Sequence, residues 1–251
     1  FFLILIGFLA NKYYFKKNSL IFFISIIFLL AIFLTGERSN TIKAFLGILI
    51  LVFLFKNINL KFKIAFLIVS FLSILILLFN SDYFKLRYIT QIKSSLSSQS
   101  QYLNLYKSGF QVFKNYPWFG VGNKNYRVET CNTLKNADGS LRLQLDNKEF
   151  NKYWCSTHPH QIYFEFLSEH GFLGTILVFY IIFKLVFSRI FEVLSDSNYI
   201  QIGSMIFILT TFLPLLPSGA FFSNYAITIF GINLSIFYAS NKNFNIFSKL
   251  G

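Results

Sequence analysis

The sequence predicts an all-α fold, a polytopic transmembrane helix bundle of about seven spans with a long extracytoplasmic loop that contains an amphipathic helix. Three observations lead there. The chain of 251 residues is 55% hydrophobic and 13% charged, where a soluble domain carries about twice that charge. Apolar runs of membrane-spanning length recur along it. Short lysine-bearing turns separate those runs, as the flanks of membrane helices do.

Taken in order, residues 1–10 read as the end of a span, and 11–18 as a polar turn with Lys12, Lys16 and Lys17. A second span covers 19–35 and stops at Gly36-Glu37-Arg38-Ser39-Asn40. A third covers 41–55, before Lys56, Lys61 and Lys63, and a fourth covers 62–79. Residues 1–80 are thus transmembrane helices. Residues 81–158 lose the apolar periodicity and form a large loop, of a length that usually carries function. Within it, Tyr102, Leu105, Tyr106, Phe110 and Phe113 recur at helical spacing, which predicts an amphipathic helix over about 99–115 lying on the membrane or on the bundle. Residues 159–240 return to transmembrane helices: a fifth span from His160 to Leu194, a sixth over 200–216 and a seventh over 222–238. A tail, 241–251, ends the chain. The chain opens at Phe1 inside an apolar run and its only methionine is Met205, so the C-terminal part of a longer membrane protein is expected.

The positive-inside rule orients the spans. With the Lys12–Lys17 turn cytoplasmic, the Lys56–Lys63 turn, the Lys184/Arg189 turn and the tail are cytoplasmic too. The Gly36–Asn40 turn, the long loop and the Pro214–Ser223 turn then lie outside. The net charge of +13 does not indicate nucleic acid, because the cations are spread over membrane flanks and one loop rather than gathered on a binding module. Anionic membrane lipids or a phosphorylated lipid substrate fit that distribution better. Cys131 and Cys155 both fall in the outside loop, where an oxidising compartment permits a disulfide; a metal site near the histidines is the lesser alternative.

Depth sorts the functional classes. A span uses roughly twenty residues at about 1.5 Å each. Counting outward from Lys184 reaches Phe164 and Glu165, with His160 above the boundary and Glu169 a turn below. Counting outward from Lys56 reaches Arg38. These groups are therefore expected at one outer level, whereas ion pathways and transporters place their polar groups near mid-depth. Chemistry at the outer surface is favoured over a lipid-linked glycan transporter or flippase, which stands as the alternative of another class. Individually the residues have structural readings as well. Arg38 suits an interfacial anchor, and His158 and His160 suit the start of a helix with Pro159 in its first turn. Glu165 and Glu169 share a helix face and complement its dipole; Gly171 and Gly174 suit close helix packing.

Three motifs in order resemble those of a known superfamily. His158-Pro159-His160-Gln161-Ile162-Tyr163-Phe164-Glu165, followed by Glu169-His170-Gly171-Phe172-Leu173-Gly174, resembles the H-x-H-N-x-x-L-E … E-x-G-x-x-G signature of the O-antigen ligase and O-antigen polymerase superfamily. Thr35-Gly36-Glu37-Arg38-Ser39 is similar to its T-G-S-R turn, and Tyr116-Pro117-Trp118-Phe119-Gly120-Val121-Gly122 to its h-P-h-h-G-x-G segment. The resemblance implies a glycosyltransferase of the bacterial inner membrane, working without metal or cofactor, with its large loop in the periplasm. It implies an undecaprenyl-diphosphate-linked glycan donor, and as acceptor either lipid A–core, for a ligase, or another glycan, for a polymerase. By the same resemblance Arg38 holds the donor diphosphate, His160 is the catalytic base or orienting donor, and Glu165 orients it. His158, Gln161, Glu169, Gly120 and Gly122 support the site. The family usually has Asn at the position of Gln161, and Arg at the position of Gln101; Arg87 or Arg127 would then supply that second charge.

Overall fold

The computed structural model of the chain describes residues 2–13, 18–56, 58–95, 101–131, 133–135, 141–143, 154–214 and 216–241. The helices are α1 (Phe2–Tyr13), α2 (Asn18–Leu34), α3 (Arg38–Leu54), α4 (Leu60–Asn80), α5 (Asp82–Lys85), a π-helical turn (Leu86–Thr90) and α6 (Gln91–Ser95). They continue with α7 (Gln101–Asn115), α8 (Tyr126–Cys131), α9 (Ile162–Leu185), a 3-10 turn (Phe187–Arg189), α10 (Ile190–Asp196), α11 (Tyr199–Thr211) and α12 (Asn224–Ala239). Between α8 and α9 lies a short antiparallel ribbon, β1 (Thr133–Lys135) with β2 (Leu141–Leu143), pairing Leu134 with Arg142. Among the described residues the regular structure is helical apart from that ribbon. Lys16, Lys17, Asp138, Asp146, Lys148, Glu149, Lys152, Lys242 and Lys249, to which the sequence assigns turn, loop and tail positions, lie outside the described residues.

Among the described residues two stretches are long and apolar enough to cross a membrane, Leu60–Asn80 and Ile162–Asp196. Phe2–Lys12, Ser19–Leu34, Tyr199–Thr211 and Asn224–Ala239 are shorter apolar helices. On α4 the exposed side chains include Phe62, Ile68, Phe71, Ile76 and Phe79, an apolar surface that a bilayer, not water, would cover. The fifth run differs from the single span that its hydropathy predicts. The helix leaves α-geometry at Gly171 (φ 64, ψ −168) and again at Val186 (φ −122) before the 3-10 turn. Hydropathy averages over such breaks because the flanking residues are equally apolar.

The chain forms two compact units. The first comprises Phe1–Ile92, Val186–Leu213 and Thr228–Gly251, the second Lys93–Leu185 and Pro214–Ile227. In the first, α1 and α11 approach so closely that a Cβ on Gly203 would fall 2.6 Å from the Leu3 carbonyl oxygen. Small residues permit that backbone contact. Polar ends lock the packing: Asn198 caps α11 through Ile200 N and Gln201 N, accepts from Asn11 Nδ2 at 3.0 Å and donates to Ser240 O at 2.7 Å. Lys63, 9% exposed, donates to Phe53 O at 2.7 Å and so satisfies a carbonyl at the end of α3, where a cation suits the helix dipole.

In the second unit α7 packs against α9. Its buried residues are Leu105, Ser108, Gly109 and Val112. A Cβ on Gly109 would press on Pro159 and Phe164, and Tyr106 and Phe110 lie against Phe164 with ring centroids 5.7 and 6.3 Å away. Ser108 Oγ accepts from Trp154 N and from Tyr126 Oη, both at 3.0 Å. The stripe that periodicity picks out is therefore only part of the packed face; small Ser108 and Gly109 are its centre.

Candidate functional site

In the first unit the polar turn between α2 and α3 is built around Gly36, whose φ of 73 is open to glycine at little cost. Its carbonyl accepts from Arg87 Nε at 2.9 Å, while Arg87 Nη1 donates to Gln91 Oε1 at 2.9 Å. Tyr88 Oη, one residue on, donates to Phe33 O at 2.8 Å and lies 3.0 Å from Thr41 Oγ1. The π-helical turn puts these consecutive side chains against the same polar turn, a use of π-geometry that recurs at functional sites. Arg38 opens α3 directly after the turn. Two guanidinium groups, Arg38 and Arg87, thus belong to one turn: the first by sequence, the second through its bond to Gly36. Fixed charge and forked donors make such a pair suited to phosphate oxygens.

In the second unit the site lies at the start of α9. His160 has a left-handed backbone, φ 55, which is uncommon outside glycine and gathers at functional positions. Its carbonyl accepts from Ser218 N at 2.9 Å. His158 Nδ1 lies 2.9 Å from Thr157 Oγ1, and its Nε2 lies 3.3 Å from Ser218 O, so both ring nitrogens are engaged. The two imidazoles lie tilted at 38° with centroids 4.0 Å apart, and Tyr102 approaches His160 edge-on at 6.2 Å. Burial, then the neighbouring His160, push the His158 pKa down to about 4. Burial also lowers that of His160. Both rings are therefore neutral at physiological pH, and a neutral imidazole can accept a proton.

Gln161 supplies the N-cap of α9: its Oε1 accepts from Tyr163 N at 2.8 Å and Phe164 N at 3.0 Å. That is the capping geometry for which Asn is usually chosen. Four residues on, Glu165 Oε2 accepts from Phe221 N at 2.9 Å and so fixes the loop before α12. Glu169 Oε2 accepts from Lys124 N at 2.9 Å, holding the loop that leads into α8. Both carboxylates are nearly fully buried. Each is turned to a different loop although they share one helix face.

Gly171 then breaks α9, and the Tyr116–Gly122 turn fills the break. In an unbroken helix Phe172 N and Leu173 N would bond to Ser168 O and Glu169 O. Instead they donate to Pro117 O at 2.7 Å and Trp118 O at 3.2 Å. Ser168 O and Glu169 O in turn accept from Val121 N at 3.0 Å and Gly122 N at 2.8 Å. Two helix bonds are exchanged for four bonds with the turn. The approach is so close that a Cβ on Gly120 would fall on the Glu169 backbone, and one on Gly171 on the Trp118 backbone. The G-x-G and E-x-G motifs are the two halves of one joint.

The structure thus brings His158, His160, Gln161, Glu165, Glu169, Gly120 and Gly122 together in the second unit, and Arg38 with Arg87 in the first. Arg127 sits exposed on α8, and Gln101 exposed at the first residue of α7. Cys131 and Cys155 form a disulfide, with Cα atoms 4.5 Å apart, that ties the end of α8 to the segment leading into His158. Among the described residues no three His, Cys, Asp or Glu side chains gather as metal ligands. The sequence reading missed Thr41, Tyr88, Ser218 and Phe221, whose partners are distant in sequence; Pro214–Ser223 offered only a polar turn with two prolines as a signal.

A family model described as O-antigen ligase matches residues 23–179. The chain belongs to the O-antigen ligase family. No curated protein and no solved structure gives a match. The matched residues include the Gly36 turn, the Tyr116–Gly122 turn and the His158–Gly174 stretch. This O-antigen ligase family member is a membrane enzyme of the ligase or polymerase type.

Proposed function

We propose that the enzyme transfers a glycan from an undecaprenyl-diphosphate carrier to an acceptor hydroxyl, on lipid A–core or on another glycan, at the periplasmic face of the inner membrane. The observation that carries this reading is the Gly36 turn with its two arginines, Arg87 being held to the turn by its own Nε. Arg38 and Arg87 bind the donor diphosphate. The acceptor oxygen attacks the anomeric carbon as the carbon–oxygen bond to the diphosphate breaks. The electron pair leaves with undecaprenyl diphosphate, whose growing charge the guanidinium groups stabilise. The hydroxyl proton passes to the neutral ring of His160, while His158, doubly bonded through its own ring, holds the neighbouring imidazole in place. Glu165 fixes the loop that carries Phe221 and orients the helix start, and Arg127, exposed on α8, is the alternative source of the second charge on the donor diphosphate. The scheme uses side-chain charge alone and needs no metal.

The reading also keeps about seven spans, with the Lys56–Lys63 turn cytoplasmic and the large loop periplasmic, since positive turns are retained inside. Its test is complementation of a deletion strain with the complete protein carrying Arg38→Ala or His160→Ala. Loss of surface polymer in both is expected; wild-type polymer in both would overturn the mechanism. The deletion strain itself separates the acceptors. A core without any polymer indicates a ligase, and a core bearing a single repeat indicates a polymerase.

A further inference from the structure

The joint between the Tyr116–Gly122 turn and α9 leaves the tip of that turn with no role in glycan transfer. Trp118 and Phe119 are 61% and 76% exposed, which is unusual for side chains on so tightly bonded a turn. Trp118 does not point away from the helix. The Trp118 ring lies 6.5 Å from that of Phe172, edge to face. Phe172 and Leu173 are each 47% exposed, and the same apolar surface continues along α9 through exposed Ile176 and Leu177. That helix belongs to one of the two stretches able to cross a membrane.

We propose that this turn is a re-entrant tip, with Trp118 and Phe119 seated among the acyl chains of a phospholipid bilayer beside Phe172 and Leu173. Three considerations fix the occupant. First, the apolar surface is continuous with that of a spanning helix, so whatever covers Ile176 and Leu177 also covers the tip. Second, from Lys184 to Phe172 the helix rises about 18 Å, less than the roughly 30 Å of a hydrocarbon core. The kink therefore lies below the surface of the bilayer. Third, irregular backbone survives at that depth only if its polar groups are satisfied within the protein. The exchange of Phe172 N, Leu173 N, Ser168 O and Glu169 O with the turn does this for the groups that the kink releases. Lys114 and Lys124, exposed on the polar flanks of the turn, are placed to meet headgroup phosphates.

This stretch of 251 residues has two tryptophans, so Trp154→Phe, with any tryptophan outside the stretch also replaced by Phe, leaves Trp118 as the sole reporter. The full protein with this substitution is reconstituted in phosphatidylcholine vesicles containing a minority of phosphatidylglycerol, with and without bromine on the acyl chains. Emission quenched roughly twofold or more by the brominated chains, and insensitive to aqueous iodide, is the expected result for a buried interfacial aromatic. Quenching by iodide and not by bromine would place the tip in water and overturn the proposal. Insensitivity to both would show it covered by protein, another part of this chain or a second copy, and would overturn it equally. Phe119→Trp in a Trp118→Phe/Trp154→Phe background repeats the measurement one residue along, should the first variant fold poorly. No substrate enters the assay, so its outcome is independent of the proposed glycan transfer.

Discussion

At the scale of single residues, His158 and His160 differ in what occupies their rings: hydrogen bonds at both nitrogens of the first, aromatic neighbours around the second. Because burial lowers the pKa of His160, transfer activity is expected to fall on the acid side only below the ordinary histidine value of about 6.5. A pH profile in reconstituted membranes checks this, and an acid limb at or above that value would count against His160 as the base. Stability follows the same sign. With the folded pKa of His158 down at about 4, the unfolded chain takes up its proton first as pH falls. Stability is then lost progressively from about 6.5 toward 4, and His158→Gln should flatten that loss in a thermal-unfolding series. Gln161 offers a third case. Removing its cap with Gln161→Ala should cost about 1 kcal/mol, and Gln161→Asn should restore it.

At the scale of elements, α9 is not a simple spanning helix but one half of a joint whose other half is the Tyr116–Gly122 turn. Gly171 and Gly120 both have left-handed φ and both lack room for a Cβ. Gly171→Ala or Gly120→Ala should therefore lower stability by about 3 kcal/mol or more, from backbone strain and overpacking together. Gly219, where a Cβ would meet nothing within 4 Å, is the matched control, and Gly219→Ala should leave the melting temperature in detergent unchanged. Glu169 belongs to the same joint, since its carboxylate fixes Lys124 N. The π-helical turn works in a similar way in the other unit. Arg87→Lys keeps a charge but loses the Nε bond to Gly36 O, a charge-assisted bond worth about 1.5–3 kcal/mol. Donor KM should rise roughly tenfold or more while protein level is unchanged, as measured in reconstituted membranes.

At the scale of the whole molecule, the chain alternates between its two units, entering the second at Lys93 and again at Pro214. The second unit is stitched by the Cys131–Cys155 bond across a sequence separation of 24. Closing a loop of that length stabilises by about 3 kcal/mol in the chain-entropy account. Cys131→Ser with Cys155→Ser should accordingly lower the melting temperature, and reduction of the wild type should reproduce the shift. An unchanged melting temperature in both would show that packing of α8 alone holds the segment before His158.

Period, composition and punctuation were enough for the helices: the apolar runs match α1 to α4 and α12 within a few residues, and α11 apart from its last turn, because an apolar stretch out of water satisfies its backbone within itself only as helix. The ordered motifs were enough for the family and for the candidate residues. Position along the chain could not say what those residues touch. Glu165 and Glu169, four apart on one face, grip different loops; Tyr88 reaches the Gly36 turn in one unit, and Ser218 the His158–His160 segment in the other, from elements remote in sequence. The break at Gly171 was illegible too, since a glycine within an apolar helix reads as close packing. Only the arrival of the Pro117–Gly122 turn, with acceptors and donors to replace the helix's own, makes the break stable. Local sequence decided which segments are helices; long-range hydrogen bonding decided where one of them stops being one.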